Sequence, residues 1–211
     1  MLRLIVLILG LSLCAHAQNS SFTFFLGDIR QVPASVLQNL QTETGRILSP
    51  LDLALEWRDA KLVNPDVNQL VVVRFAGSCS FADYNPAKVG PTNNSSLAST
   101  AVADGRVLPF ITVECGKLRD RLGPLVIGLK GSDREAMLGR AAGRLLAHEV
   151  YHVLSGERRH AQQGVAQSCV TTRELLAENF DLNAWSLAQM RTVRLEPIPQ
   201  EEFEADLIGR D

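Results

Sequence analysis

Three of the chain's four histidines fall within thirteen consecutive residues, His148-Glu149-Val150-Tyr151-His152-Val153-Leu154-Ser155-Gly156-Glu157-Arg158-Arg159-His160. On a helix, positions i and i+4 project from one face, so His148 and His152 can reach a single zinc ion through their imidazole nitrogens. Glu149 follows the first of them and is near enough to pull a proton from water held on that ion. A catalytic zinc needs a third protein ligand and one open position. His160 is the best candidate, because a helix stopped near Gly156 lets the chain turn and bring a residue a few positions on back to the metal. The rival is a carboxylate from the next helix, Glu178 or Glu174.

The elements that must position these groups are legible by pattern. Ser132-Asp133-Arg134-Glu135 has the form of a capping box and opens a long helix. That helix runs through Met137, Leu138, Ala141, Ala142, Leu145 and Leu146 into the histidine segment and stops at Gly156. The helix expectation is therefore independent of the HExxH motif, which is informative only on a helix. Gly139 and Gly143 each cost about 1 kcal/mol against Ala in a helix, so close packing against a sheet is expected there. A second capping box, Thr171-Thr172-Arg173-Glu174, starts a final helix with Leu175, Leu176, Phe180, Trp185 and Met190 turned inward.

Upstream, Pro33 and the spacing of Val36, Leu37, Leu40, Ile47 and Leu48 predict a helix over 33–48, ended by Ser49-Pro50. Residues 51–57 alternate, with Leu51, Leu53, Leu55 and Trp57 on one face of a half-buried strand. Residues 70–75 (LVVVRF) read as a more central strand. Residues 78–96 form a long Ser/Asn/Pro/Gly-rich loop, and loops of that length are usually functional or mobile. Residues 99–103 and 106–114 flank Asp104-Gly105, a hairpin signal. Pro109 cannot donate to a ladder, so the second arm is expected to be an edge strand or to carry a bulge. The fold class is α+β: a mixed, mostly antiparallel sheet packed on the active-site helix, with a C-terminal helix.

The N-terminus reads as an export signal. Met1-Leu2-Arg3 is a short basic region, residues 4–15 are almost wholly apolar, and Ala15-His16-Ala17 precedes a cut at Gln18. Residues 1–17 are thus a signal peptide and 18–211 a single domain, secreted or periplasmic, with no membrane segment after cleavage. A lipid anchor through Cys14 is disfavoured by the bulky Leu13 before it. Removing residues 1–17 takes away one basic residue, Arg3, and leaves 20 basic and 23 acidic residues with no basic stripe, which argues against nucleic acid as a partner. Cys79, Cys115 and Cys169 remain; Cys79 and Cys115 fall at the ends of predicted strands and are expected to pair, leaving Cys169 over. Sequons occur at Asn19, Asn93 and Asn94. The tail after Pro197 is acidic and expected to be peripheral.

His148-Glu149-x-x-His152 followed by a glycine and a third histidine resembles the zincin metallopeptidases, and most closely their metzincin branch. The resemblance at motif level covers residues 148–160, and the order of elements is similar. The metzincin signature is HExxHxxGxxH, whereas this chain reads HExxHxxxGxxxH, with Gly156 one position late and His160 two. It is also similar to a class of uncharacterised exported bacterial proteins in which the late third histidine precedes Gly-Val-Ala, here Gly164-Val165-Ala166. The resemblance implies a sheet on the active-site helix, zinc held by His148, His152 and His160, Glu149 as general base, and a peptide or protein substrate. It also implies a methionine turn beneath the metal; Met190 is the only methionine after His160, and its apparently helical setting favours plain core packing. The resemblance identifies no oxyanion stabiliser; Tyr84, Tyr151, Arg158 and Arg159 are candidates by residue type alone. An edge strand near Pro109 could align an extended peptide. A non-catalytic exported protein with a structural zinc is the alternative; a structural site has no need of Glu149.

Overall fold

In a computed structural model that describes residues 21–62, 69–90 and 95–191, the chain forms one five-stranded sheet with helices laid on it. The expected signal peptide, Cys14, the asparagines of the three sequons and the tail after Pro197 lie outside those residues. In chain order the elements are β1 (Ser21–Leu26), α1 (Ala34–Leu48), β2 (Ala54–Asp59), β3 (Leu70–Phe75), β4 (Ala98–Ala103), β5 (Arg106–Val113), α2 (Cys115–Val126), α3 (Gly131–Ser155), α4 (Thr172–Leu176) and α5 (Ala184–Met190). None of the described helices is long and apolar enough to cross a membrane.

The α+β class and the mixed sheet are as expected, but the sheet is not mostly antiparallel. Strands run in the order β2-β1-β3-β5-β4, and only the β4–β5 pair is antiparallel. The hairpin is the one pairing with a short local signal. The parallel pairings need long crossovers, which leave no dipeptide signature. The first crossover is α1, which returns the chain from β1 to β2 and brings Phe24 into stacking contact with Trp57 at 4.1 Å. β1 and α2 are absent from the sequence reading. β1 is a short, largely apolar run of five residues, Phe22 to Leu26, close behind the apolar N-terminal segment, and α2 contains Gly116, Gly123 and Pro124, all helix-unfavourable residues.

Alternation assigns the two faces of the sheet. Phe22, Phe24, Leu26, Val71, Val73, Ile111 and Val113 join α1 and α3 in the principal core, while Phe25, Leu70, Val72 and Phe110 form a smaller cluster of their own. β2 starts later than the alternation suggested, because Leu51 closes a 3-10 turn and Asp52 adopts a left-handed conformation. Leu51, Leu53, Leu55 and Trp57 nonetheless pack on the core together, as their spacing predicted. Asp104 and Gly105 both have positive φ, the geometry of a primed hairpin turn. β5 is an interior strand, so Pro109 does not mark an edge; the edges of the described sheet are β2 and β4. The bulge half of the expectation is met. The β4–β5 register shifts between Thr100 and Val102, and pairing with β3 begins only at Phe110, so Pro109 lies in neither ladder.

α3 is the structural axis of the site. Its first residue is Gly131 behind Lys130, so Ser132 already lies inside the helix and the expected capping box does not form. Gly156, at φ 65°, terminates it as expected. Gly139 and Gly143 do permit close packing, but against α1 and not the sheet. A Cβ on Gly143 would sit 2.7 Å from the Leu40 carbonyl oxygen, and one on Gly139 would sit 2.4 Å from that of Val36. Gly143→Ala is therefore expected to destabilise the protein by about 1–3 kcal/mol, since overpacking outweighs the gain in helix propensity. Gly45, in α1, meets nothing within 4 Å, so Gly45→Ala should instead stabilise by about 1 kcal/mol. Thermal unfolding of the two variants checks the opposite signs.

The Thr171 capping box is present: Thr171 Oγ1 accepts from the Glu174 amide and the Glu174 carboxylate accepts from the Thr171 amide. The predicted final helix is, however, two short ones. Ala177 turns to an extended conformation and the chain restarts at α5 behind an Asn183 cap. Carbonyls of the intervening segment are engaged elsewhere: Glu178 O by Arg144, Phe180 O by Arg46, and Asp181 O by the Val165 amide. Leu175, Phe180 and Met190 are buried as expected, and Leu176 partly so, but Trp185 is 46% exposed.

The Cys79–Cys115 disulfide forms as expected and ties the start of the long loop to the first residue of α2; Cys169 is a free, exposed thiol.

Candidate metal centre

His148 and His152 lie one helical turn apart near the C-terminal end of α3, both buried, with Glu149 buried between them in sequence. Beyond Gly156 the chain folds back and presents His160 at the surface. The imidazole Nε2 atoms of His148 and His152 are 3.2 Å apart, and those of His152 and His160 are also 3.2 Å apart. Ligand atoms of the three residues all lie within 4.8 Å of one another, close enough to hold one metal ion.

The protonation pattern of two of the rings follows from their outer partners. His148 Nδ1 donates to the Val165 carbonyl at 2.7 Å, and His152 Nδ1 donates to the Glu157 carbonyl at 2.7 Å. A carbonyl can only accept, so the proton of each neutral ring is on Nδ1 and the Nε2 lone pairs face the cluster. Burial pushes the His148 imidazole down to about 4, against a smaller upward effect of its bond to Val165. Burial also holds His152 below the ordinary histidine range. Both are thus neutral near pH 7, the form in which imidazole ligates. Two unprotonated nitrogens 3.2 Å apart have no hydrogen to share, and a cation between them relieves the repulsion. Nitrogens about 2.0–2.1 Å from a tetrahedral zinc lie about 3.3 Å from one another, which is close to the spacing observed.

The loop that delivers His160 and orients His148 is tied down at several points. Tyr151 donates its hydroxyl to the Arg159 carbonyl at 3.0 Å, immediately before His160. Gly164 has φ 83°, and a Cβ there would lie 2.6 Å from the Asp181 carbonyl oxygen, so only glycine fits. The next residue gives its carbonyl to His148 and its amide to Asp181. The Gly164-Val165-Ala166 segment thus acts on the site through backbone groups.

Behind it is an ionic network that sequence reasoning missed. Arg144, 1% exposed in α3, donates Nε to Glu43 of α1 at 2.7 Å and its Nη atoms to the carbonyls of Glu174 and Glu178. Arg46 bridges Glu43 and Asp181. Burial would raise the Glu43 carboxyl, but the hydrogen bonds and charges of Arg46 and Arg144 hold it below its ordinary value. The available signal was an arginine in the middle of an apolar helical stretch, where a charge must find a partner.

The other candidates are placed elsewhere. Glu174 is engaged by Thr171 and Gln167, and neither it nor Glu178 joins the metal cluster. Tyr84 packs against Gly123 of α2 with Phe81 on its edge and Arg119 over its ring. Tyr151 has its hydroxyl committed to the loop, and Arg159 pairs with Glu157 at the surface. Arg158 is exposed. Met190 is the last residue of α5 and is buried in the core, in a helix and not a turn.

Glu149 is turned toward the sheet. Its Oε2 accepts from Thr100 Oγ1 of β4 at 2.7 Å. Burial raises its carboxyl above the ordinary value, opposed chiefly by the Thr100 bond. A base shifted in this direction is better matched to neutral pH. Compared with known proteins, the chain matches no family model and no curated protein sequence.

Proposed function

We propose that this protein is an exported zinc-dependent peptidase of the zincin type, with His148, His152 and His160 as ligands and Glu149 as general base. The observation that carries the reading is the convergence of three imidazoles, with the His152 Nε2 3.2 Å from the Nε2 of both His148 and His160 and all ligand atoms within 4.8 Å, beside a buried carboxylate. Zinc, when bound, acts as a Lewis acid on the scissile carbonyl and acidifies water. Glu149 accepts the proton of the attacking water at its carboxylate and passes it to the leaving amine. β4 is an edge strand of the described sheet and packs beside α3, and an edge strand can take an extended peptide as a further strand. Among the described residues no fourth His, Cys, Asp or Glu joins the cluster, which favours an open site over a structural one. Export is supported by residues 1–17 and fits the disulfide, since such bonds persist in oxidising compartments.

Zinc content and hydrolysis of a broad peptide library test the reading. Wild type is expected to hold one equivalent of zinc and to cleave. His160→Ala should lose both, while Glu174→Ala and Glu178→Ala keep the metal. Retention of zinc in His160→Ala with its loss in Glu178→Ala would replace the third ligand and discard the metzincin-like arrangement. Zinc binding without cleavage of any peptide would favour the structural site.

A further inference from the structure

A carboxylate beside three converging imidazoles is itself a good zinc ligand. Glu149 adjoins His148 in sequence and is buried with it, yet it is not among the donor groups that gather within 4.8 Å. Its carboxylate is bound instead by a residue of another element. Thr100 Oγ1 donates to Glu149 Oε2 at 2.7 Å and also approaches the Glu149 carbonyl oxygen at 3.3 Å. A hydroxyl has one proton to give, and a charged carboxylate at the shorter distance is the stronger acceptor. The Thr100 backbone also lies close enough to the carboxylate to favour its charged form. The donor is itself well fixed. Thr100 pairs with Ile111 in the β4–β5 ladder, and its β-branched side chain has restricted rotation.

We propose that Thr100 is a positioning residue that keeps Glu149 a base by preventing it from becoming a fourth metal ligand; this rests on the metal-site reading above. A coordinated carboxylate would spend a lone pair required for proton transfer and would fill the one open position. Because Thr100 lies on an edge strand, the restraint comes from the sheet, not from the helix that carries Glu149.

Cobalt(II) in place of zinc gives a readout apart from activity, since its visible absorption depends on the number and type of ligands. Thr100→Val removes the donor at nearly constant volume and keeps the β-branch. Thr100→Ala removes it with no added bulk, and Thr100→Ser retains it. All are expected to bind one equivalent of cobalt. Thr100→Ser should match wild type in spectrum and azide affinity. Thr100→Val and Thr100→Ala should show an altered spectrum, weaker azide binding, and peptide hydrolysis lowered about 10–100-fold, the usual cost of losing an outer partner of a metal site. Unchanged spectrum and azide affinity in Val and Ala variants that bind cobalt would overturn the proposal while leaving the metal site intact. A wild type that takes up no cobalt overturns both. An altered spectrum in the absence of any hydrolysis would support the restraint and remove the peptidase reading.

Discussion

Glu149→Gln is expected to abolish peptide hydrolysis while leaving zinc content and melting temperature essentially unchanged. Glutamine keeps the shape of the side chain, and its carbonyl oxygen can still accept from Thr100 Oγ1, the bond that glutamate makes now. It cannot take a proton at neutral pH. A base of this kind contributes roughly 10²–10⁴-fold to rate, so residual cleavage should fall by at least that factor. The side chain is buried, and removing its negative charge also removes the cost of burying it, so no large loss of stability is expected. The measurement is hydrolysis of a peptide library by wild type and variant, with a chelator control and metal analysis of both proteins. Equal cleavage rates would show that Glu149 is not the base.

His148→Ala and His152→Ala should each nearly eliminate tight zinc binding, and with it the metal's contribution to stability. Sites of four protein ligands bind with about 10–16 kcal/mol, so one ligand of a set corresponds to roughly 10²–10³-fold in affinity. For wild type at a free zinc concentration of about 1,000 times the dissociation constant, mass action adds about 4 kcal/mol of stability. In a domain of this size each kcal/mol moves the melting temperature by about 2–4 °C, so chelation should lower it by roughly 8–16 °C. Neither histidine variant should show a shift of that size. The two rings also anchor the loop through their bonds to Val165 and Glu157, so both variants should melt somewhat below chelated wild type. Full zinc retention in both variants would sink the metal assignment.

How much of this was legible without coordinates follows the range of the interactions. His148, Glu149 and His152 depend on the geometry of a single helix, and an i, i+4 pair is determined by backbone alone. The placement of α1, β3, the β4–β5 hairpin and the Gly156 stop likewise rests on periodicity or on turn residues acting over a few positions. His160 needed one further step, a chain reversal after a glycine, and that too is local.

What only the tertiary structure decided involves partners distant in sequence. The parallel order of the sheet depends on crossovers such as α1, which leave no pairing signal in the strands they join. The split of the C-terminal helix at Ala177 depends on carbonyls taken by Arg144, Arg46 and Val165, residues separated from it in the chain. Gly143 faces α1 instead of the sheet because Leu40 happens to be its neighbour in space. The same holds at the site itself. The types and spacing of the histidines determined that a metal could be held, a property of one helix and one loop. That Glu149 points to Thr100, and that His148 is oriented by Val165, was decided by packing β4 and the 161–166 loop against α3. Ligand identity is written in local spacing, whereas ligand orientation is written in contacts that only folding brings together.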